Sequence, residues 1–308
     1  MQLRGCLTVE RKTSGALASV FMGPEGVRAG WRIAVFLACF AVPLFAISSV
    51  FAIILHDTGY HLAARPFELS PLFVLGNELT LLLPILIATG VMAFLENTPF
   101  TAYGLAGARK FARLGWGLAG GVAALTLLIF IVIITGHGVV AGGGLNLAGD
   151  LRFGAEWLGV CLLIGFTEEF ALRGYLLSTL ERGAGFPVAA LVTSLLFAIL
   201  HGPNPGETFV GIVQVFAAGL LFCLAIRLTG SLWWPIGFHA GWDYAENFIF
   251  GTHDSGNVCV GTLLSVTPRG NIWLSGGLTG PEGSIFGFGV VALAAALVWA
   301  AYSPRQPG

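Results

Sequence analysis

Apolar residues in this chain come in long blocks separated by short polar stretches. A helix needs about 20 apolar residues to cross a ~30 Å hydrocarbon layer. By that measure, blocks run over about 31–55, 71–95, 114–136, 156–180, 187–201, 208–228, 232–250 and 285–301. Read as helices, they predict an all-α fold, a polytopic membrane helical bundle of about eight transmembrane helices. Residues 31–302 form one transmembrane domain, preceded by a polar, Gly-containing cytoplasmic segment, 1–30, with no removable leader. No internal repeat is visible. The stretch 251–284, rich in Gly and polar residues, reads as an ordinary outer loop.

One block breaks its own pattern. Residues 162–180 read LLIGFTEEFALRGYLLSTL, with Glu168, Glu169 and Arg173 in the middle. Each charge in a lipid-compatible helix costs roughly 2.5–3.5 kcal/mol on insertion scales. Such groups need partners or a use.

Composition sharpens the class. Of 308 residues, 56% are hydrophobic and only 10% charged, against about 25% charged in a soluble globular domain. A net charge of −1 gives no support for nucleic acid as a partner. The five cysteines are scattered, with no CxxC pair, and read as small apolar residues rather than a disulfide or metal framework. Basic residues fix an orientation. With the N-terminus inside, Arg4, Arg11, Lys12, Arg28, Arg32, Arg109, Lys110, Arg113, Arg182, Arg227 and Arg305 are cytoplasmic, and only Arg65, Arg152 and Arg269 lie outside. This bias predicts a multi-pass cell-membrane protein with both termini in the cytoplasm.

Helical spacing then sorts the polar groups. Glu169 and Arg173, four apart, share a face and form an acid-first pair; an ion pair holding two helices together accounts for them without any chemistry. Glu168 is turned by about 100° and needs another partner. The next block brings Phe197 and His201, again four apart. The seventh brings His239 and Asp243 on one face, with Glu246 a turn further, and there Asp243 is expected to set the tautomer and orientation of His239. Three successive blocks, a core of about 156–250, each supply a proton-active group: Glu168, His201 and His239. Converging, they suit general acid–base work on water. Two His and one Glu equally make a hydrolytic zinc set.

The stretch EEFALRGYLL resembles the EExxxR motif of the CPBP family of intramembrane proteases, which includes CAAX prenyl endopeptidases and Abi-type proteins. LLFAILHG resembles its FxxxH motif, and GSLWWPIGFHAGWD its HxxxN/D motif, in the same order. The resemblance implies an intramembrane endopeptidase acting on a membrane-associated peptide or protein, with the bilayer as its second partner. It implies that Glu168 and His201 activate water, that Glu169 and Arg173 support them, and that His239 with Asp243 stabilises the oxyanion. Prenyl-protein enzymes carry Asn where this chain has Asp243, and an ionised carboxylate donates no hydrogen bond. That residue orients His239, is protonated, or favours a metal. Both zinc-dependent and metal-free glutamate mechanisms belong to this resemblance. Two other classes use the same residues: a proton-coupled transporter, in which Glu and His form a relay, and a non-catalytic immunity or scaffold membrane protein.

Overall fold

In lipid every backbone polar group must find a partner within the chain, and helices do this segment by segment. The computed structural model describes residues 20–23, 26–57 and 68–303. Most of the segment 1–30, together with Arg65 and Arg305, therefore lies outside the described residues. Nine helices carry the described fold: α1 (Ala29–Asp57), α2 (Pro71–Leu95), α3 (Lys110–Ile134), α4 (Leu147–Phe170), α5 (Leu177–Ala184), α6 (Phe186–His201), α7 (Phe209–Thr229), α8 (Trp233–Tyr244) and α9 (Phe286–Tyr302). Side chains of Ser70, Asn146 and Thr208 accept backbone N–H groups at the starts of α2, α4 and α7, satisfying donors that a helix start leaves open.

Exposure is inverted relative to a soluble protein. Phe94 is 84% exposed and Phe209 80%, whereas Glu169 and Arg173 are at 0% and 1%. The outside suits hydrocarbon and the inside holds the charges. Among the described residues, four helices (α1, α2, α3 and α7) are long and apolar enough to span a membrane, and α6 and α9 are shorter apolar helices. α4 is long but carries acidic residues, and α8 has 12 residues.

The expected ends of the fourth block need correction. α4 begins at Leu147 rather than near 156, passes through a wide π-helical turn at Ala171–Leu176, and continues as α5 to Ala184. Glu181 and Arg182 read as a membrane boundary, yet a helix need not stop where the bilayer does. Gly185 turns the chain into α6, and at ~1.5 Å per residue both Glu168 and His201 stand roughly 22–24 Å from that turn. They share one level.

Close backbone approach fixes α8. A Cβ on Gly117 of α3 would strike the Trp234 carbonyl, and one on Gly121 the Phe238 carbonyl. In return, a Cβ on Gly237 would strike the Leu114 carbonyl and one on Gly241 the Leu118 carbonyl. Glycines four apart on both helices thus bring two backbones into contact. The glycine face of α8 meets α3, and His239 is turned away from it, toward α4, α6 and α7.

The stretch 251–284 is a built cap, not the ordinary loop expected. After Met22–Gly23 (β1) and Gly26–Val27 (β2) near the start, the strands Glu68–Leu69 (β3), Gly138–Gly142 (β4), His253–Asp254 (β5), Asn257–Cys259 (β6) and Leu264–Pro268 (β7) gather there. β6 pairs with β3 in parallel and with β5 antiparallel; β4 pairs antiparallel with β7. Ser255 N donates to Thr279 O at 2.8 Å, Thr279 Oγ1 to Gly206 O at 2.7 Å, and Trp157 Nε1 to Val260 O at 2.9 Å. Its short hydrogen-bonded pieces carry no hydropathy signal, so composition alone suggests a loop. The described cysteines are free: Cys161, Cys223 and Cys259 are buried and Cys39 is partly so.

Candidate active site

The buried pair comes first. Arg173 Nη1 lies 3.2 Å from Glu169 Oε1, and both side chains are fully buried. The guanidinium sits 4.4 Å from the Phe197 ring centroid and 5.7 Å from that of Phe222, a desolvated cation–π setting. Gly219 makes room for it, since a Cβ there would come within 2.7 Å of Arg173 Nη2.

Glu169 has a second task. The same Oε1 lies 3.2 Å from His239 Nδ1. A carboxylate only accepts, so Nδ1 of His239 carries the hydrogen and Nε2 faces the centre of the site. Asp243, the expected orienting residue, instead has Oδ2 at 3.7 Å from Nε2. The ring is therefore oriented by Glu169, across helices, rather than by its i+4 neighbour. Asp243 meets the nitrogen that faces the site.

His201 is fixed in the same way from another helix. Its Nδ1 donates to Phe197 O at 2.9 Å, which also leaves Nε2 for the centre. Phe197 packs edge-on against both imidazoles, with ring centroids 4.6 Å from His201 and 5.8 Å from His239. The Phe222 ring stacks on His239 at 5.6 Å. The two aromatic residues thus bracket Arg173 on one side and both imidazoles on the other.

Glu168 completes the group. Its Oε2 lies 4.0 Å from His201 Nε2 and 3.8 Å from His239 Nε2, and this atom is buried without a hydrogen-bond partner. Asp243 Oδ2 is also buried without one. So Glu168, His201, His239 and Asp243 come together, with Glu169 and Arg173 behind them. They line a cavity of about 290 Å³. π-helical turns at Ala171–Leu176 and Ala245–Ile249 follow closely on the two acidic positions, a form that recurs at functional sites.

Four wall residues escape motif reading: Glu78 from α2, Phe222 from α7, and Asp254 and Glu282 from the cap. Glu78 is the one charged residue of its apolar block, so the cost of a charge in lipid was the available signal for it. Phe222 has no signal, being one apolar residue among many. Asp254 and Glu282 lie in the stretch read as a loop. Burial raises the carboxyl of Asp254 above its usual range. Burial also raises Glu282 well above it, and the charges of Asp254, Glu207 and Asp243 push the same way.

Zinc, the alternative for Glu168, His201 and His239, can be tested on these atoms. Tetrahedral N and O ligands at ~2.0–2.2 Å from zinc stand about 3.4 Å apart. The observed spacings of 3.8 and 4.0 Å are wider. No group of three or more His, Cys, Asp or Glu among the described residues is arranged to hold a metal ion. As placed, Glu168 stands about 0.4–0.6 Å farther from each imidazole than bound zinc would hold it.

Fold and site together define a class: a helical bundle of apolar exterior, with carboxylates and imidazoles from separate helices meeting at a buried cavity. Residues 150–245 match the family described as type II CAAX prenyl endopeptidase Rce1-like. The match covers α4 to α8, under half of the chain, and includes all three motif segments. No curated protein matches the chain.

Proposed function

We propose that the chain is an intramembrane endopeptidase that hydrolyses a peptide bond of a membrane-associated substrate with water activated by Glu168 and His201. The observation that carries this reading is the approach of Glu168 Oε2 to the Nε2 atoms of His201 and His239 at one cavity, inside the segment that resembles a protease family. Water between Glu168 and His201 gives a proton to the carboxylate as its oxygen attacks the carbonyl carbon. His239, when protonated at Nε2, donates to the oxyanion. Asp243 shares that nitrogen, and in its protonated form is a second donor; this lets Asp do the work of an Asn. The proton held by Glu168 passes to the amide nitrogen as the C–N bond breaks. Glu169 and Arg173 act by holding His239 and Phe197 in place.

The bundle is assigned eight spans, with α5 and the α5–α6 turn at the cytoplasmic end. In support, Glu96 at the end of α2 pairs with Arg32 and Arg182, and Arg109, Lys110 and Arg113 open α3. Those basic groups gather at one end of the bundle, which supports a cytoplasmic side there and both termini inside. The test uses proteoliposomes containing the purified protein, with peptide cleavage and proton flux read in one sample. Cleavage without flux is expected, and it disappears in Glu168→Ala and His201→Ala. Flux without cleavage points to a proton-coupled transporter. Neither one points to a non-catalytic scaffold.

A further inference from the structure

The cavity wall is strongly one-sided in charge. It carries Glu78, Glu168, Asp243, Asp254 and Glu282, and no Lys or Arg among the described residues. The imidazoles of His201 and His239 are its other ionisable groups, and Arg173 is fully buried against Glu169 and stacked on Phe197. Glu168 and Asp243 are taken up by the chemistry above. Glu78, Asp254 and Glu282 are not.

A collection of acids is not a binding site by itself. Glu78 supplies the independent observation. It is 5% exposed, lines the cavity, and its Oε2 is buried without a hydrogen-bond partner. A buried carboxylate oxygen with nothing to accept from costs the full desolvation of that group. A donor that enters the cavity would recover that cost. The other two acids approach the same cavity from the cap, so α2 and the cap together present three carboxyl groups to whatever enters. In their ionised form these three repel a ligand carboxylate.

We propose that this cavity selects a cationic substrate segment, a Lys or Arg side chain close to the cleaved bond, held by Glu78, Asp254 and Glu282. The inference rests on the endopeptidase reading and names the substrate class for it. Burial and neighbouring carboxylates raise the carboxyls of Glu282 and Asp254, which is the state of acids that gain by meeting a cation. The three are specificity residues rather than members of the catalytic group. A substrate ending in a free carboxylate at this point is disfavoured.

The test separates binding from cleavage. Glu168→Gln protein in nanodiscs is titrated with apolar peptides, acetylated and amidated at their ends, that carry Lys, norleucine or Glu in turn at each position flanking the bond. At one position, Lys is expected to bind at least ~10-fold more tightly than norleucine, about 1.4 kcal/mol, and Glu more weakly than both. The preference shrinks with salt. Adding Asp254→Asn and Glu282→Gln, both nearly isosteric, is expected to cut the Lys advantage below about threefold while leaving norleucine binding unchanged. Equal binding of Lys and norleucine at every position, or tighter binding of Glu, overturns the inference. So does a full Lys advantage in the doubly substituted cap. Cleavage is read separately with the parent protein. If Lys preference persists but the parent cleaves nothing, the hydrolase reading falls and the cationic site stands.

Discussion

Replacing Arg173 by Met removes one partner of a fully buried ion pair, and the structure sets the expected cost. At 3.2 Å, two unit charges attract by about 5 kcal/mol at an effective dielectric of 20. Desolvation costs several kcal/mol per ion, so the intact pair is close to break-even. Breaking it is different. Arg173→Met leaves Glu169 charged in a dry site, and a loss of about 3–5 kcal/mol is expected. Glu169→Gln strands the guanidinium at a similar cost, softened by up to ~2 kcal/mol from the Phe197 and Phe222 faces. The double variant strands neither charge and should recover most of the loss, giving a coupling energy above about 2 kcal/mol. Reversible unfolding in bicelles measures all four proteins. Additive losses, with coupling below about 0.5 kcal/mol, would refute the claim that the two charges neutralise one another. The double variant has a second use. It keeps stability but loses the carboxylate on His239 Nδ1, so its cleavage rate should stay depressed.

Other substitutions probe separate parts of the account. Gly241→Ala places a methyl group against the Leu118 carbonyl and should cost about 1–3 kcal/mol by overpacking; a neutral result in the same unfolding assay would count against the glycine contact. Glu96→Ala removes the acceptor of Tyr175 OH at 2.6 Å and the partner of Arg182 at 3.0 Å, with an expected loss of about 1–3 kcal/mol. Glu282 has its folded-state carboxyl raised above the ordinary value, so the folded protein binds the extra proton. Stability should therefore fall as pH rises above the ordinary carboxylate range, and Glu282→Gln should stabilise the protein at pH ~8 more than at pH ~4. Equal effects at both pH values would remove that reading. The donor spacing predicts unchanged cleavage after exhaustive chelation, measured against a zinc-restored sample; loss and recovery with zinc would assign the metal a place.

Much of this molecule was legible from the order of its residues, and the exceptions share a physical cause. The block 71–95 coincides with α2, because lipid imposes length and apolarity together. The three motif segments bring Glu168, His201 and His239 to one cavity. The end of the fourth block was misread because Glu181 and Arg182 look like a surface, while α5 carries the helix onward to Ala184. The orienting partner of His239 was misread because i+4 spacing favours Asp243, and a contact between helices such as Glu169 to His239 leaves no mark in local spacing. Glu78 was detectable as a solitary charge in lipid. The cap was not: its short strands and Gly-rich turns have no periodicity to read, yet they bring Asp254 and Glu282 to the cavity.

Everything proposed about chemistry depends on a single proton transfer at Glu168. The direct measurement is the cleavage rate of Glu168→Gln beside the parent, in liposomes, with equal unfolding midpoints established first. The account expects kcat/KM to fall by about 10²–10⁴-fold, the range general base catalysis supplies. A fall of less than about tenfold in a folded variant would contradict it.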